Sequence, residues 1–190
     1  MKVVCLLGSP RPRGNSAFLA DRFCRTAETL GAEIQTFALN ELKYRGCQAC
    51  MTCKTKLDRC MLKDDLTQVL DAIRDADVLL MASPIYYGEV SSQMKAFIDR
   101  TFSYLTPDFD TGPNPSRLLP GKKLVMILAQ GDPGEELYAD VFPRYASFFK
   151  WYGFDDSHLI RACGVLGPGE VEGRHEVLSR VEDLAREIAG

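Results

Sequence analysis

The chain has 190 residues, of which 46% are hydrophobic and 26% charged, and its formal net charge is −3. That length suits one domain with a full core, which we expect over residues 1–190, and the mildly acidic balance argues against nucleic-acid binding, which needs a basic face. No apolar run approaches the roughly 18 residues of a membrane span, and the apolar stretch near the N-terminus is too short for a signal-peptide core, so we expect a cytoplasmic protein.

Short apolar runs alternate with amphipathic helical patterns along the whole sequence. We expect strands at residues 3–7, 33–39, 78–82, 124–129 and 158–165. We expect helices at residues 16–30, from 64 onward, and at 93–104, 137–152 and 171–188. This alternation predicts an α/β fold, a doubly wound parallel sheet of five strands with helices on both faces. In such sheets ligands bind at the carboxyl ends of the strands.

The first strand is followed by the loop GSPRPRGNS, residues 8–16. Hydroxyl groups, Arg11, main-chain N–H groups and a helix N-terminus, which Asn15 is suited to cap, converge there. The ATP-binding pattern GxxxxGK[ST] does not fit, since five residues separate the two glycines and Asn15 stands where the Lys belongs; GxGxxG is absent too. The loop therefore predicts a site for one phosphate group, the alternative being a polar turn with a capped helix.

Two further strand ends carry candidate ligand-binding residues. Residues 83–91, SPIYYGEVS, place Tyr86 and Tyr87 between a proline and a glycine, where a flat heteroaromatic ring could stack while main-chain amides bond its edge. Alternatively, these tyrosines cover the core or a subunit interface. After the next strand, Gln130 and Gly131 could bond a ring or a polyol, although an ordinary turn explains them as well.

Four cysteines, Cys47, Cys50, Cys53 and Cys60, lie within an insertion of about residues 46–61. In a reducing compartment such a group indicates metal binding or redox chemistry rather than disulfides. A short helix that buries three of them with Leu57 would explain the same spacing. Structural zinc or thiol redox chemistry is a further alternative, but a four-cysteine zinc site usually draws on two separated CxxC pairs.

The segments GSPRPRGNS and SPIYYGEVSSQMKAFIDR, with the strand order, resemble the NADPH-dependent FMN reductase family of flavodoxin-like proteins. The resemblance implies that FMN is held at its phosphate by Ser9, Arg11, Asn15 and Ser16, and at its ring by Pro84, Ile85, Tyr86, Tyr87 and Gly88. We count Ala17, Gln130 and Gly131 as further candidate cofactor-binding residues. The resemblance also implies homodimers or homotetramers with the flavin near a subunit boundary. The Pro- and Gly-rich residues 106–121, long for a connecting loop, would contribute to that boundary.

The cysteine spacing is similar to that of the iron–sulfur flavoprotein branch of the family, in which four thiolates ligate a [4Fe–4S] cluster that exchanges electrons with FMN. The resemblance thus implies an oxidoreductase with a ferredoxin-like electron donor and a small-molecule acceptor. Two other functions stay open: an NAD(P)H-dependent FMN or quinone reductase with structural cysteines, and a non-catalytic flavodoxin-like electron carrier. We predict no catalytic acid or base, because no hydrolytic motif is present.

Overall fold

The structure is a computed structural model that describes residues 1–190. Its strands are β1 (Lys2–Leu7), β2 (Glu33–Ala38), β3 (Val78–Tyr86), β4 (Glu89–Val90), β5 (Lys122–Ala129) and β6 (Phe154–Ala162). Five of them form a parallel sheet in the order β2-β1-β3-β5-β6, while the short β4 pairs antiparallel with the end of β3. This is the flavodoxin-like strand order, so the predicted fold is confirmed.

Helices cover both faces of the sheet. They are α1 (Asn15–Thr29), α2 (Thr52–Thr55), α3 (Leu66–Asp75), α4 (Ser92–Arg100), α5 (Val141–Lys150) and α6 (His175–Ala189), with 3₁₀ turns at Leu39–Glu41, Thr101–Tyr104 and Glu170–Gly173. Helices α1 and α6 pack on one face, and α3, α4 and α5 pack on the other. None of the helices combines the length and the apolar character that a membrane crossing requires.

The sheet is buried on both sides, which is why its strands read as continuous apolar runs in the sequence. In β1, Val4 and Leu6 belong to the core under α3–α5, while Val3 and Cys5 belong to the core under α1 and α6. Because these strands run parallel, all of them end at the same edge of the sheet. The three segments predicted to bind a ligand lie at that edge.

Several predicted boundaries shift in the structure. Residues 83–91 are not a loop, because β3 continues to Tyr86 and turns back into β4 through Tyr87 and Gly88, both at positive φ (51° and 78°), as a two-residue hairpin requires. Strand β6 begins at Phe154, since its register with β5 pairs Lys122 with Phe154. Helix α5 is shorter than predicted, and the last helical pattern is divided into a 3₁₀ turn and α6.

Candidate functional site

The first turn of α1 presents several hydrogen-bond donors without acceptors in the protein. Gly14, not Asn15, is the N-cap, and it provides no side chain to cap the helix. The main-chain N–H groups of residues 15–17 consequently have no partner. The hydroxyl of Ser16, a residue only 1% exposed, also lacks one. Buried polar groups are nearly always paired, and a helix N-terminus favours an anion, so this group of donors fits a phosphate group.

Close contacts within the loop before α1 fix its shape next to these donors. Ser9 Oγ accepts a hydrogen bond from the main-chain N–H of Arg11 at 3.1 Å. A Cβ atom on Gly14 would stand 2.6 Å from Ser9 Oγ, so any larger residue would displace the Ser9 side chain. The exposed Arg11 donates one N–H to the carbonyl of Leu166, 3.1 Å away, and its guanidinium keeps further donors for a ligand.

Asn15 has a structural task that the sequence does not reveal. Its Nδ2 donates to the carbonyls of Val165 (3.3 Å) and Gly167 (2.9 Å), and its Oδ1 accepts from the N–H of Val171 at 3.2 Å. The amide thereby ties the loop after β6 to the start of α1. What Asn15 offers a phosphate is its main-chain N–H.

The second strand end is the β3–β4 hairpin. Ile85 is buried and Pro84 half-buried, whereas Tyr86 is 43% exposed and Tyr87 fully exposed, so Tyr87 does not cover the core. A Cβ on Gly88 would lie 3.1 Å from the ring of Tyr138, which packs beside the turn. The main chain of the hairpin and its two exposed rings are therefore available to a partner or a ligand.

A carboxylate fixes the hairpin to α5. Glu89 accepts a hydrogen bond from the hydroxyl of Tyr145 at 2.9 Å and forms an ion pair with Arg144 at 3.0 Å. Burial and the neighbouring Glu89 raise the pKa of Tyr145, so this phenol stays protonated as a donor. Glu89 thus fixes the hairpin to α5 directly after its turn.

Two serines that the sequence analysis did not single out join the first and second loops. Ser91, the N-cap of α4, accepts from the N–H of Met94 (3.2 Å) and donates its hydroxyl to the carbonyl of Gly8 at 2.6 Å. Its own N–H donates to Ser83 Oγ at 2.9 Å. A serine directly before a helical pattern is an N-cap signal, which could have identified Ser91.

At the third strand end, the side chain of Gln130 is hydrogen-bonded within the protein. Gln130 is 2% exposed, and its Nε2 donates to the carbonyls of Asp132 (3.0 Å) and Gly134 (2.9 Å). Its Oε1 accepts from Arg161 at 2.9 Å. The amide is therefore engaged within its own loop, and what this strand end offers a ligand is the exposed main chain of Gly131.

The four cysteines share one surface. Cys47, Cys50, Cys53 and Cys60 line the same small hollow of about 20 Å³, which we call the cysteine hollow, and all four are free thiols. The alternative of one short buried helix is wrong, because α2 covers only Thr52–Thr55 and Leu57 is exposed. Nowhere do three of the sulfurs converge closely enough to hold a metal ion.

The backbone of the cysteine segment is strongly bent. Ala49 and Met51 adopt left-handed conformations, with φ of 49° and 56°, although neither is glycine. Non-glycine residues persist in this region only where the surrounding structure enforces it. The N–H of Ala49 donates to Cys47 Sγ at 3.4 Å. The main-chain N–H and the side chain of Thr52 lower the pKa of the Cys50 thiol.

Two cations hold this segment against the turn after α4. Lys54 Nζ donates to the carbonyls of Phe102 (2.6 Å) and Leu105 (2.9 Å) and lies 3.6 Å from Cys53 Sγ. Burial lowers the pKa of Lys54, against the opposing effect of Cys53. Arg117 donates to the carbonyl of Cys53 at 2.9 Å. Positive charge therefore lies next to the thiols.

A third cation, Arg100, holds the two ends of the cysteine segment together. It pairs with Asp64 through two hydrogen bonds of 2.8 and 3.2 Å, and it donates to the carbonyls of Arg45 (2.8 Å) and Leu62 (3.3 Å), which flank the cysteines on either side. Burial alone would raise the pKa of Asp64, but the hydrogen bonds from Arg100 and from the Arg45 N–H lower it overall. The sequence does not reveal this role, because Arg100 is the last residue of α4, whose pattern of apolar residues gives no sign of a buried arginine.

An apolar groove of about 610 Å³ runs beside the cysteine hollow, between α4 and α5. Phe102, Phe109, Phe148 and Trp151 are among its walls, and the last two are 53% and 46% exposed. Phe109 comes from residues 106–121, so this long segment shapes an exposed aromatic surface. Contiguous apolar surface of this kind is typical of interaction sites.

Comparison with known proteins places these features in a family context. Residues 1–150 match the profile of the NADPH-dependent FMN reductase family. A segment of 104 residues, 55% of this chain and 47% of the relative, is 36% identical to an iron-sulfur flavoprotein of Archaeoglobus fulgidus. A segment of 105 residues, 53% of this chain and 52% of the relative, is 28% identical to the FMN-dependent NADH:quinone oxidoreductase of Hydrogenovibrio crunogenus. The chain thus spans about half the length of these curated relatives.

The solved structures agree on the fold. The FMN-dependent NADH-azoreductase of Bacillus anthracis, a complex with FMN, superimposes with a TM-score of 0.76 over all of both chains. At 18% sequence identity this likeness concerns the architecture of the chain and not its chemistry.

Proposed function

The chain belongs to the NADPH-dependent FMN reductase family, and on that premise we propose that it is an FMN-dependent oxidoreductase of the iron–sulfur flavoprotein type. The observation that carries the FMN assignment is the start of α1, where three main-chain N–H groups and the buried Ser16 hydroxyl have no partner in the protein. Ser9, Arg11 and the main chain of Asn15 and Ala17 complete the proposed phosphate site.

The ring of FMN would lie along the main chain of residues 84–88, with Gly131 at the neighbouring strand end. When bound, FMN supplies reversible one- and two-electron transfer. The chain's part is to orient the ring: the hairpin is anchored by Glu89 to Tyr145, and the serine network keeps it in register with the phosphate loop. No side chain is required as a general acid or base.

We further propose that Cys47, Cys50, Cys53 and Cys60 hold a [4Fe–4S] cluster. Four free thiols around one hollow provide the ligand set that such clusters use. Lys54 and the arginines beside the thiols would offset the negative charge of the ligands. The name of the A. fulgidus relative supports the same proposal. Electrons would then come from a ferredoxin-like donor.

A second candidate is an NAD(P)H-dependent FMN or quinone reductase without a cluster. It is favoured by the separation of the four sulfurs, of which those of Cys47 and Cys50 are exposed, and by the likeness to an FMN-dependent NADH:quinone oxidoreductase. In either case we propose a cytoplasmic homodimer or homotetramer. The exposed aromatic groove and Tyr87 are its candidate contact surfaces.

Anaerobic purification followed by an absorption spectrum and assays of iron and acid-labile sulfide separates the two candidates. Resolved flavin bands with a broad visible shoulder, and about four irons per chain in the wild type but not in Cys53→Ala, are expected for the cluster. Cys24→Ala, a buried cysteine outside the hollow, is the matched control. Flavin bands without iron and sulfide, with rapid bleaching by NADPH, would instead establish the second candidate. A chain that retains no FMN would refute both.

A further inference from the structure

The loop after β6, residues 163–169, is held against the loop before α1. The side chain of Arg11 donates to the carbonyl of Leu166 at 3.1 Å. The amide of Asn15 donates to the carbonyls of the two residues that flank Leu166, at 3.3 and 2.9 Å. The main-chain N–H of Leu166 in turn donates to a carboxylate oxygen of Glu170 at 2.7 Å. Both main-chain polar groups of Leu166 are therefore paired, and its backbone is fixed relative to α1.

The same loop contacts the third strand end. The main-chain N–H of Val165 donates to the carbonyl of Gln130 at 2.9 Å. A Cβ atom on Gly131 would lie 3.0 Å from Cδ1 of Leu166, so a larger residue at position 131 would meet the leucine side chain. The side chain of Leu166 therefore lies beside the main chain of Gly131, which the proposed function places next to the ring of FMN.

Leu166 is nevertheless 75% exposed, while its neighbour Val165 is buried in the core under α1 and α6. Scattered exposed leucines are common and need no function. The position of Leu166 sets it apart, because it lies between Arg11, proposed to bind the phosphate, and Gly131, proposed to face the ring. A flavin that reached both would cover this side chain and remove its apolar surface from water. The fixed backbone would not have to move for that contact, so no ordering cost opposes it.

We propose that Leu166 is a ring-contacting residue of the FMN site, with its side chain packed against the edge of the flavin ring beside Gly131. This rests on the FMN part of the proposed function and adds a fourth strand end to the site. Contact with the ring buries apolar surface and involves no charge. The contribution of Leu166 to affinity is therefore the same for FMN and for riboflavin, unlike that of a residue that binds the phosphate.

The energetic effect is tested by flavin fluorescence titrations of the wild type, Leu166→Ala and Leu119→Ala with FMN and with riboflavin. Leu166→Ala removes the side chain but keeps the carbonyl that holds Arg11. We expect it to raise both dissociation constants by the same factor, about 5- to 30-fold, and to leave the thermal midpoint of the apo chain unchanged. Leu119 is the matched control, since it is also 75% exposed but lies just before β5, at the opposite edge of the sheet. Unchanged affinity of Leu166→Ala for both flavins, or a loss confined to FMN, would overturn the proposal.

The contact itself is tested by NMR on the chain with ¹³C-labelled leucine methyl groups, those of Leu166 being identified by their loss in Leu166→Ala. At saturating FMN we expect nuclear Overhauser effects between these methyl groups and the protons of the flavin ring, and none from Leu119. Their absence in a saturated sample, or a change of Leu166→Ala in oligomeric state alone, would assign Leu166 to another role and refute the proposal. A wild type that binds neither flavin refutes the proposed FMN function itself, whereas a wild type that binds FMN no better than Leu166→Ala refutes only the role of Leu166.

Discussion

Ser16→Ala should change the stability of the apo chain and its affinity for FMN in opposite senses. In the apo chain the Ser16 hydroxyl is buried without a partner. Such a group costs roughly 1–3 kcal/mol, so its removal should stabilise the apo chain by about 1–2 kcal/mol. For a chain of this size that corresponds to a rise of roughly 2–8 °C in the midpoint of thermal unfolding.

With FMN the sign reverses. The hydroxyl would donate to the charged phosphate, and a hydrogen bond to a charged group is worth about 1.5–3 kcal/mol. Its loss should raise the dissociation constant of FMN about 10- to 150-fold. Riboflavin lacks the phosphate, so its dissociation constant should be the same for the wild type and the variant.

The assay is thermal unfolding of the apo chain together with flavin fluorescence titrations using FMN and riboflavin. Ser179→Ala is the control, since Ser179 is exposed on α6 and bonds only to Asp183. If Ser16→Ala weakens FMN and riboflavin by the same factor, the hydroxyl does not serve the phosphate. A less stable apo variant would show that Ser16 has a partner and that the reasoning is wrong.

Three further predictions concern the framework. Ser91→Ala removes the cap of α4 and leaves the carbonyl of Gly8 unpaired, so urea unfolding should show a loss of about 2–4 kcal/mol; a loss under about 1 kcal/mol would contradict this. The folded state lowers the pKa of Asp64, so the contribution of this carboxylate to stability is present above about pH 4 and is lost as the pH falls through the folded-state pKa. Between pH 7 and 3 the urea midpoint of Asp64→Asn should therefore decline less than that of the wild type. Parallel curves would refute the role of the ion pair. Gly88→Ala should lower the thermal midpoint more than Gly31→Ala, because both have positive φ (78° and 86°) but only the first meets a neighbouring ring; equal shifts would show that the hairpin gives way.

Much of the fold could be predicted because its signals are local. Burial on both sides of a parallel sheet produces apolar runs, and packing on one side produces helical stripes, so the alternation and the parallel sheet follow from periodicity. The hairpin at residues 83–91 was missed since its positive φ at Tyr87 falls on a residue that rarely adopts it. Strand β6 was misplaced because its register depends on pairing with β5.

By itself, the sequence determined the class of fold, two of the three strand-end loops and the group of four cysteines. Only the tertiary structure decided which polar atoms are free to act. The amide of Asn15 is occupied by main-chain groups 150 to 156 positions away, whereas the adjacent Ser16 hydroxyl has no partner. Likewise, Gln130 is engaged within its loop and Arg100 keeps one donor free. Hydrogen-bond partners meet through the fold and not through local periodicity, so the same residue types are structural at one position and available to a ligand at the next.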